Sequence, residues 1–289
     1  MPETDHTVET QSAPSKVDID DLHLIREAAA EAGRLALHYF GKNPEVWLKG
    51  GQSPVSEADL VVDRYLQEFL LHARPDYGWI SEETATDQQR TGRQRAFVVD
   101  PIDGTRAFLA GDDRWCVSIA VIDQGKPRCG VLDVPVRQEV LSTALGMGAF
   151  QNGKPVTAHL PDDGRSYPVA MSRSHFNDLP EGFRSKTAFS PYVPSLAYRI
   201  AMVGRGELAG TFVRGGAHDW DLAAADLLLS EAGGRLLTLE GQRLSYGAVH
   251  NMTAGQKPFS HDVLVAAVAG FEDEMLSVVR QLLSDQSYS

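Results

Sequence analysis

A mixed α/β or α+β fold is predicted by the sequence, because helical and strand-like patterns alternate along its 289 residues. Apolar residues recur every three or four positions in residues 25–39, and residues 221–232 are strongly apolar and followed by Gly233-Gly234; both stretches are typical of helices packed against a core. Short apolar runs at 97–99 and 116–122 are typical of buried strands. Hydrophobic residues make up 43% of the chain, which is ordinary for a globular protein with a substantial core.

The N-terminal quarter of the chain predicts a tail followed by two helices. Residues 1–16 are polar and lack the basic start and apolar core of a signal peptide, so we expect a disordered tail. The first helix ends at Gly41, and the second begins at Ser56 and ends before Pro75. The apolar face of the second helix consists of Val62, Leu66, Phe69 and Leu70.

The middle of the chain predicts a group of strands. One strand ends at Ile80, just before Ser81-Glu82-Glu83, and the next, 97–99, leads directly into Asp100. The polar residues 84–95 between them predict a mobile loop. Further strands are expected at 116–122, 130–134 and 139–143, with turns at 123–126 and at Asn152-Gly153.

The C-terminal part is predicted to form a second unit. Residues 161–166 are polar and rich in turn formers, so they are the best linker between a domain of residues 17–160 and one of 167–285. Beyond the linker, strands are expected at 169–171, 208–213, 236–239 and 263–267, and helices at 195–203, 221–232 and 272–283.

Charge and composition limit the classes of function. The net charge of −12 disfavours a nucleic-acid-binding protein, because an acidic surface repels phosphates, although bound metal ions can reverse the field locally. Cys116 and Cys129 are too few for a disulfide framework and are interpreted as small buried residues of a reducing compartment. No apolar run approaches the roughly 18 residues of a membrane span, so we expect a cytoplasmic protein without a membrane partner.

The stretch from Val99 to Thr105 carries the strongest chemical signal. A buried strand ends in Asp100, Pro101 fixes the following turn, and a second carboxylate arrives at Asp103. Both carboxylates can therefore face one pocket with the carbonyl of Ile102 between them, and oxygen ligands of this kind suit Mg²⁺.

The residues after this turn can be read in two ways. A helix that begins at Gly104-Thr105 would point its free N–H groups into the same pocket and hold a phosphate. Alternatively, Asp103-Gly104 is only a turn, and Asp103 caps that helix.

Two further acids can complete a metal site. Glu82 follows a strand, where paired acids are usually solvated loop charge, yet it can supply a missing ligand to the two aspartates. Asp221 is placed to cap the apolar helix that follows it, but an acid at the mouth of a buried helix can also bind a metal.

Three motifs, together with their order and spacing along the chain, resemble the inositol monophosphatase superfamily. They are D-P-I-D-G-T at 100–105, S-E-E at 81–83 and W-D-L-A-A-A-D at 220–226, and the resemblance extends from about residue 20 to 283. It implies a layered αβαβα sandwich, with an N-terminal antiparallel sheet domain, a smaller C-terminal α/β domain and a metal site between them. It also implies a metal-dependent phosphomonoesterase that is sensitive to lithium, and dimers are common in such a family.

The resemblance implies a role for each matched residue. The ligands of two or three Mg²⁺ ions would be Glu82, Asp100, the carbonyl of Ile102, Asp103 and Asp221. Thr105 and Asp59 would orient and deprotonate the attacking water, with Glu82 assisting, and Lys49 would lie in a loop near the metals. The substrate would contact Asp103, Gly104, Thr105, Arg214 and Asp221. Read from residues alone, Asp59 forms a capping box with Ser56, and Lys49 is a surface residue.

The substrate is predicted less sharply than the chemistry. Inositol phosphatases of the superfamily usually have a glutamate where this chain has Arg214, and an arginine can bind a second phosphate. Residues 171–175, which include His175, resemble a stretch of the bisphosphate nucleotidase branch. Adenosine 3',5'-bisphosphate is therefore the first expectation and inositol monophosphate the second. An interaction or regulatory protein that retains the phosphatase fold is the alternative of another class, and Arg214 and His175 can equally be ordinary surface and loop residues.

Overall fold

The computed structural model describes residues 13–49, 53–84, 93–160, 166–247 and 259–286. Within those ranges the helices are α1 (Lys16–Leu37), α2 (Glu57–Ala73), α3 (Thr105–Ala110), α4 (Arg173–Asn177), α5 (Glu181–Arg184), α6 (Leu196–Gly204), α7 (Asp219–Glu231) and α8 (Glu272–Gln286). None of these helices is both long and apolar enough to cross a membrane.

The strands fall into two groups along the chain. The first group is β1 (Val46–Lys49), β2 (Ser53–Ser56), β3 (Gly78–Ser81), β4 (Arg95–Asp103), β5 (Cys116–Asp123), β6 (Lys126–Val134), β7 (Glu139–Ala144), β8 (Ala149–Gln151) and β9 (Lys154–Val156). The second is β10 (Tyr167–Ala170), β11 (Thr187–Ser190), β12 (Gly210–Val213), β13 (Ala217–His218), β14 (Gly234–Thr238), β15 (Ser260–His261) and β16 (Leu264–Val268).

Two large sheets form the frame of the molecule. The seven-stranded sheet has the order β3-β4-β5-β6-β7-β8-β9, and the five-stranded sheet has the order β11-β10-β12-β16-β14. The larger sheet is antiparallel as expected, except at one edge, where β3 pairs in parallel with β4. The smaller sheet is mixed, since β10 runs parallel to β11 and β12 whereas β16 runs antiparallel to β12 and β14.

The layers follow from the alternation of side chains along the central strands. On β5, Val117, Ile119 and Val121 belong to the core beneath α1 and α2, whereas Ala120 and Ile122 belong to the core on the opposite face. Helices α6 and α7 fill the space between the two sheets, and α8 covers the far side of the smaller sheet. The order helix, sheet, helix, sheet, helix confirms the predicted αβαβα sandwich.

Helix α7 is buried on nearly all sides because it lies between the two sheets. Small residues on both elements allow α7 to approach β6 closely. A Cβ added to Gly130 on β6 would lie only 3.0 Å from the Cα atom of Ala224 on α7. The same cluster of buried residues contains side chains from both halves of the chain, such as Leu132 and Val265. The division into two domains at 161–166 stays a prediction, since residues 161–165 lie outside the described ranges.

Most predicted elements are present, and the differences are local. The turn at Asn152-Gly153 joins β8 to β9 with φ values of 50° and 77°, which the hairpin signal predicted. Ser15 caps α1, so the predicted tail of residues 1–16 is wrong at its last two positions, and residues 1–12 lie outside the described part. Lys49, Ser53 and Pro54, which the composition of residues 49–54 predicted as loop, belong to the paired strands β1 and β2, and residues 50–52 lie outside the described ranges. Most of the predicted loop 84–95 falls on residues 85–92, which the structure does not describe.

Candidate active site

Three motifs that are distant in sequence line one cavity of about 340 Å³. Its walls consist of Pro54, Glu82, Asp100, Asp103, Gly104, Thr105, Arg106, Tyr192, Pro194 and Asp221. Glu82 enters from the end of β3, Asp100 and Asp103 from the end of β4, and Asp221 from the first turn of α7. The parallel pairing of β3 with β4 explains why the acids at their carboxyl ends meet.

A β-bulge turns the two aspartates of β4 towards this cavity. Asp100 pairs with Ser118 and Asp103 pairs with Cys116, so three steps along β4 match two steps along β5. The extra residue bends the strand end. The Asp100 Oδ1 atom accepts a hydrogen bond of 3.0 Å from the amide of Ile102, which fixes the turn.

Asp100, Asp103 and Asp221 offer carboxylate oxygens that all lie within 4.8 Å of one another. Burial raises the pKa of Asp100 well above its usual value, and the charges of Glu82, Asp103 and Asp221 raise it further. Burial and the neighbouring Asp103 likewise raise the pKa of Asp221. Carboxylates this close together, of which Asp100 and Asp103 are buried and Asp221 is half-buried, repel one another unless cations lie between them, and their hard oxygen ligands fit Mg²⁺.

The carboxylate of Asp103 is held by the first turn of α6. It accepts hydrogen bonds from the Ser195 hydroxyl, from the Leu196 amide at 3.1 Å and from the Ala197 amide at 2.7 Å. The alternative that Asp103 caps α3 is therefore wrong, because Gly104 occupies that cap. Asp103 instead joins the predicted metal site to the second half of the chain.

Gly104 is required where it stands. Its φ of 95° is a left-handed conformation, and a Cβ there would lie 3.1 Å from the Ser195 side chain. Helix α3 begins at the next residue, Thr105, so its first N–H groups lie beside the cavity as the motif predicted.

Asp59 makes both of the contacts that the sequence left as alternatives. Its Oδ2 atom accepts the Ser56 amide at 2.7 Å and the Ser56 hydroxyl at 2.5 Å, which is the expected capping interaction. Its Oδ1 atom accepts the Thr105 hydroxyl at 3.1 Å. Asp59 is only 1% exposed, and this burial raises its pKa despite the hydrogen bonds.

Asp221 does not cap α7 in the way the sequence indicated. His218 is the N-cap residue, and Asp221 stands three positions later, where its Oδ2 atom accepts the His218 amide at 2.7 Å. The His218 ring stacks on the Trp220 ring with a centroid distance of 4.5 Å. These contacts fix the first turn of α7 and leave Asp221 facing the cavity.

The structure does not bring every predicted residue to the cavity. Arg214 is exposed at the end of β12 and does not line it. His175, on α4, packs 5.3 Å from the Phe212 ring and does not line it either. Lys49 ends β1, and its side chain lies outside what the structure describes.

Four residues at the cavity were missed by the sequence analysis. Arg106 and Tyr192 line its rim, Ser195 holds Asp103, and the buried Arg199 lies against Tyr192. The residue after the D-P-I-D-G-T motif is a signal that could have identified Arg106. No local pattern marks Tyr192 or Arg199, because their role depends on how α6 packs against β4.

The sequence of this chain is similar to those of several known phosphatases. An inositol-1-monophosphatase of Mesorhizobium japonicum is 32% identical over 273 residues, which is 91% of this chain and 97% of that protein. A histidinol-phosphatase of Chlorobaculum parvum is 30% identical over 77% of this chain and 87% of that protein. A 3'(2'),5'-bisphosphate nucleotidase of Aggregatibacter actinomycetemcomitans is 27% identical over 78% of this chain and 87% of that protein.

Among solved structures, the inositol monophosphatase of Thermotoga maritima superposes with a TM-score of 0.76 and 22% identity, covering 92% of this chain and 99% of that one. This likeness supports the layered fold. The sequence model of the inositol monophosphatase family matches residues 20–272, a range that includes every residue of the acidic cluster. The chain therefore belongs to the inositol monophosphatase family, whose members are metal-dependent phosphomonoester hydrolases acting on small phosphorylated substrates.

Proposed function

We propose that this phosphatase uses Mg²⁺ to hydrolyse a small phosphorylated metabolite with water as the nucleophile. The observation that carries the proposal is the cluster of Asp100, Asp103 and Asp221, whose oxygens lie within 4.8 Å of one another beside the start of α3. Glu82 and the carbonyl of Ile102 complete the proposed ligand set. When bound there, Mg²⁺ would lower the pKa of a water molecule and neutralise phosphate charge.

Thr105 and Asp59 would handle the proton of the attacking water. Because the Thr105 hydroxyl donates to Asp59, the lone pairs of Oγ1 remain able to accept a hydrogen bond from water. As the water loses its proton to Thr105, the hydroxyl proton passes to the Asp59 carboxylate. The raised pKa of the buried Asp59 makes this carboxylate a stronger base than an exposed aspartate.

The start of α3 would hold the phosphoryl group during the reaction. Gly104 and Thr105 line the cavity next to the carboxylates, and the first N–H groups of a helix are donors without a partner inside the helix. These donors would stabilise the charge that builds on the phosphoryl oxygens in the transition state.

For the substrate, we propose adenosine 3',5'-bisphosphate, which would yield AMP and phosphate. Arg214, which the sequence suggested as the ligand of a second phosphate, does not line the cavity. Arg106 lines its rim, and its guanidinium group can bind a second phosphate in the same way. Inositol monophosphate is the second candidate, favoured by the 32% identical relative that covers 91% of this chain. Inhibition by lithium and a homodimer are further proposals from the family resemblance, and a cytoplasmic location is proposed from the sequence patterns described above.

A substrate panel tests both levels of the proposal. Phosphate release is measured with adenosine 3',5'-bisphosphate, inositol 1-phosphate and histidinol phosphate, each with Mg²⁺ and with EDTA. We expect release that requires the metal and the highest kcat/KM for the nucleotide. A higher kcat/KM for inositol 1-phosphate would replace the nucleotide by inositol phosphate, and equal rates in EDTA would overturn the metal mechanism.

A further inference from the structure

Tyr192 is an exposed aromatic residue with a fixed position at the mouth of the catalytic cavity. It lies between β11 and α6, is 51% exposed, and lines the cavity rim together with Arg106 and Pro194. The guanidinium carbon of Arg199 lies over one face of the ring, 4.2 Å from the ring centroid. The exposed area therefore belongs to the opposite face and the edges of the ring.

Arg199 explains why the Tyr192 ring keeps this position. The arginine is only 2% exposed, its Nη1 atom donates a hydrogen bond of 2.6 Å to the carbonyl of Val193, and among the described residues its Nε atom has no hydrogen-bond partner. A buried cation is costly without partners, and the ring face supplies a cation–π interaction. A ligand that stacks on the outer face thus meets a surface already held in place, which reduces the entropy lost on binding.

The position of Tyr192 relative to the carboxylates determines which part of a substrate reaches it. The phosphoryl group belongs between Asp100, Asp221 and the start of α3, so the alcohol that leaves must extend towards the rim. There it meets Tyr192, Pro194 and Arg106. A purine presents a flat π face that stacks on such a ring, whereas a cyclohexane hexol presents hydroxyl groups on a puckered ring.

We propose that Tyr192 is a stacking platform that selects phosphate esters whose leaving alcohol carries a planar aromatic base, namely nucleotides. Arg199 is the positioning residue that holds this platform from beneath. The inference rests on the proposed phosphatase function and adds a residue that decides among its substrates.

Kinetics of two variants test the platform. Tyr192→Ala removes the ring and Tyr192→Phe, the matched control, retains it. We expect Tyr192→Ala to lower kcat/KM for adenosine 3',5'-bisphosphate by about tenfold, mainly through KM, since stacking on one aromatic ring is worth this order in affinity. The kcat/KM for inositol 1-phosphate should change less than about twofold, and Tyr192→Phe should restore the nucleotide value. An equal loss on both substrates would overturn the platform and leave Tyr192 as a cover for Arg199.

A binding experiment separates failure of the platform from failure of the phosphatase. AMP and ribose 5-phosphate differ only in the base, and their dissociation constants are measured by calorimetry with Mg²⁺. We expect AMP to bind more tightly to the wild type and to Tyr192→Phe, and the difference to disappear in Tyr192→Ala. If AMP still binds Tyr192→Ala more tightly than ribose 5-phosphate does, the platform proposal is wrong even when phosphate release is normal. If the tighter binding of AMP depends on Tyr192 but no ester is hydrolysed, the platform proposal is supported and the catalytic proposal fails.

Discussion

Each of the three clustered aspartates has at least one carboxylate oxygen fixed by a main-chain amide. Ile102 donates to Asp100 Oδ1, and His218 donates to Asp221 Oδ2. Asp103 is held more firmly, because both of its oxygens accept amides at the start of α6. Such partners orient metal ligands before the ion arrives, and they reduce the reorganisation that binding requires.

Substitution of Asp100 should separate catalysis from folding. In Asp100→Asn, the amide oxygen can still accept the Ile102 amide, so the fold is expected to persist. Activity should fall below about a tenth of the wild type because a metal ligand is lost. In EDTA the variant should melt at a higher temperature than the wild type, since one of the mutually repelling carboxylates is gone. Phosphate release and thermal melts measure the two effects.

Asp226→Asn is the matched control for this experiment. Asp226 is another buried carboxylate, on α7 outside the cavity lining, and accepts the Tyr246 hydroxyl at 2.8 Å. Its substitution should leave at least about half of the activity, because it touches neither metal ligands nor substrate. Equal loss in both variants would argue that Asp100 acts through stability alone.

A second buried acid should give the protein a pH-dependent stability. Asp133 is 8% exposed, and burial raises its pKa from 3.8 to about 7. The folded state therefore keeps a proton that the unfolded state releases, so the free energy of unfolding falls as the pH rises from 3.8 to about 7. Asp133→Asn should raise the free energy of unfolding at pH 8 by at least about 1 kcal/mol, given about 1.4 kcal/mol per pKa unit.

The same variant should match the wild type near pH 4, where both carry a neutral group at this position. Urea unfolding at pH 4 and pH 8 measures the difference. Asp20→Asn, at an exposed position of α1, should leave the free energy of unfolding unchanged at both pH values. A gain of equal size at both pH values would show that burial of the charge is not the cause.

At the scale of elements, the junction of β4, α3 and α6 forms the site. Gly104 follows the bulged strand, occupies the N-cap of α3 and lies close to the start of α6, where an added Cβ would come within 3.1 Å of Ser195. The local patterns of this region were read correctly from the sequence as a strand, a turn and a helix. The contact of Asp103 with α6 was not, because it joins residues 92 to 94 positions apart.

Substitution of Gly104 should therefore damage both stability and catalysis. Gly104→Ala forces a side chain into a left-handed conformation and against Ser195. We expect a loss of about 2 kcal/mol in the free energy of unfolding and more than tenfold in kcat. Gly111→Ala, with φ +73° and no atom within 4 Å of the added Cβ, should cost only the conformational strain and keep kcat. Similar kcat losses in both variants would contradict the collision with α6.

At the scale of the whole molecule, the proposed metal site joins the two halves of the chain. Glu82, Asp100 and Asp103 come from the larger sheet, whereas Asp221 and the start of α6 come from the layer between the sheets. Ions bound here would connect the layers and neutralise the charge that they bring together.

Mg²⁺ should accordingly stabilise the folded protein. At 100 times the dissociation constant, a ligand specific for the native state adds about 2.7 kcal/mol to the free energy of unfolding. The melting temperature should rise continuously during a Mg²⁺ titration. Na⁺ at equal ionic strength should not reproduce this rise. The shift should be smaller in Asp100→Asn. An unchanged melting temperature in Mg²⁺ would contradict a metal site at these carboxylates.

Local patterns in the sequence determined the longer helices and the main strands, the hairpin at Asn152-Gly153 and the acids of the D-P-I-D-G-T motif. They also identified the family, because periodicity, turn chemistry and motif spacing are properties of neighbouring residues. The tertiary structure alone decided that Asp103 is held by α6, that Tyr192 lies over Arg199 at the cavity rim, and that Arg214 lies away from it. The place of each of these residues relative to the cavity depends on how the layers pack, which no local pattern encodes.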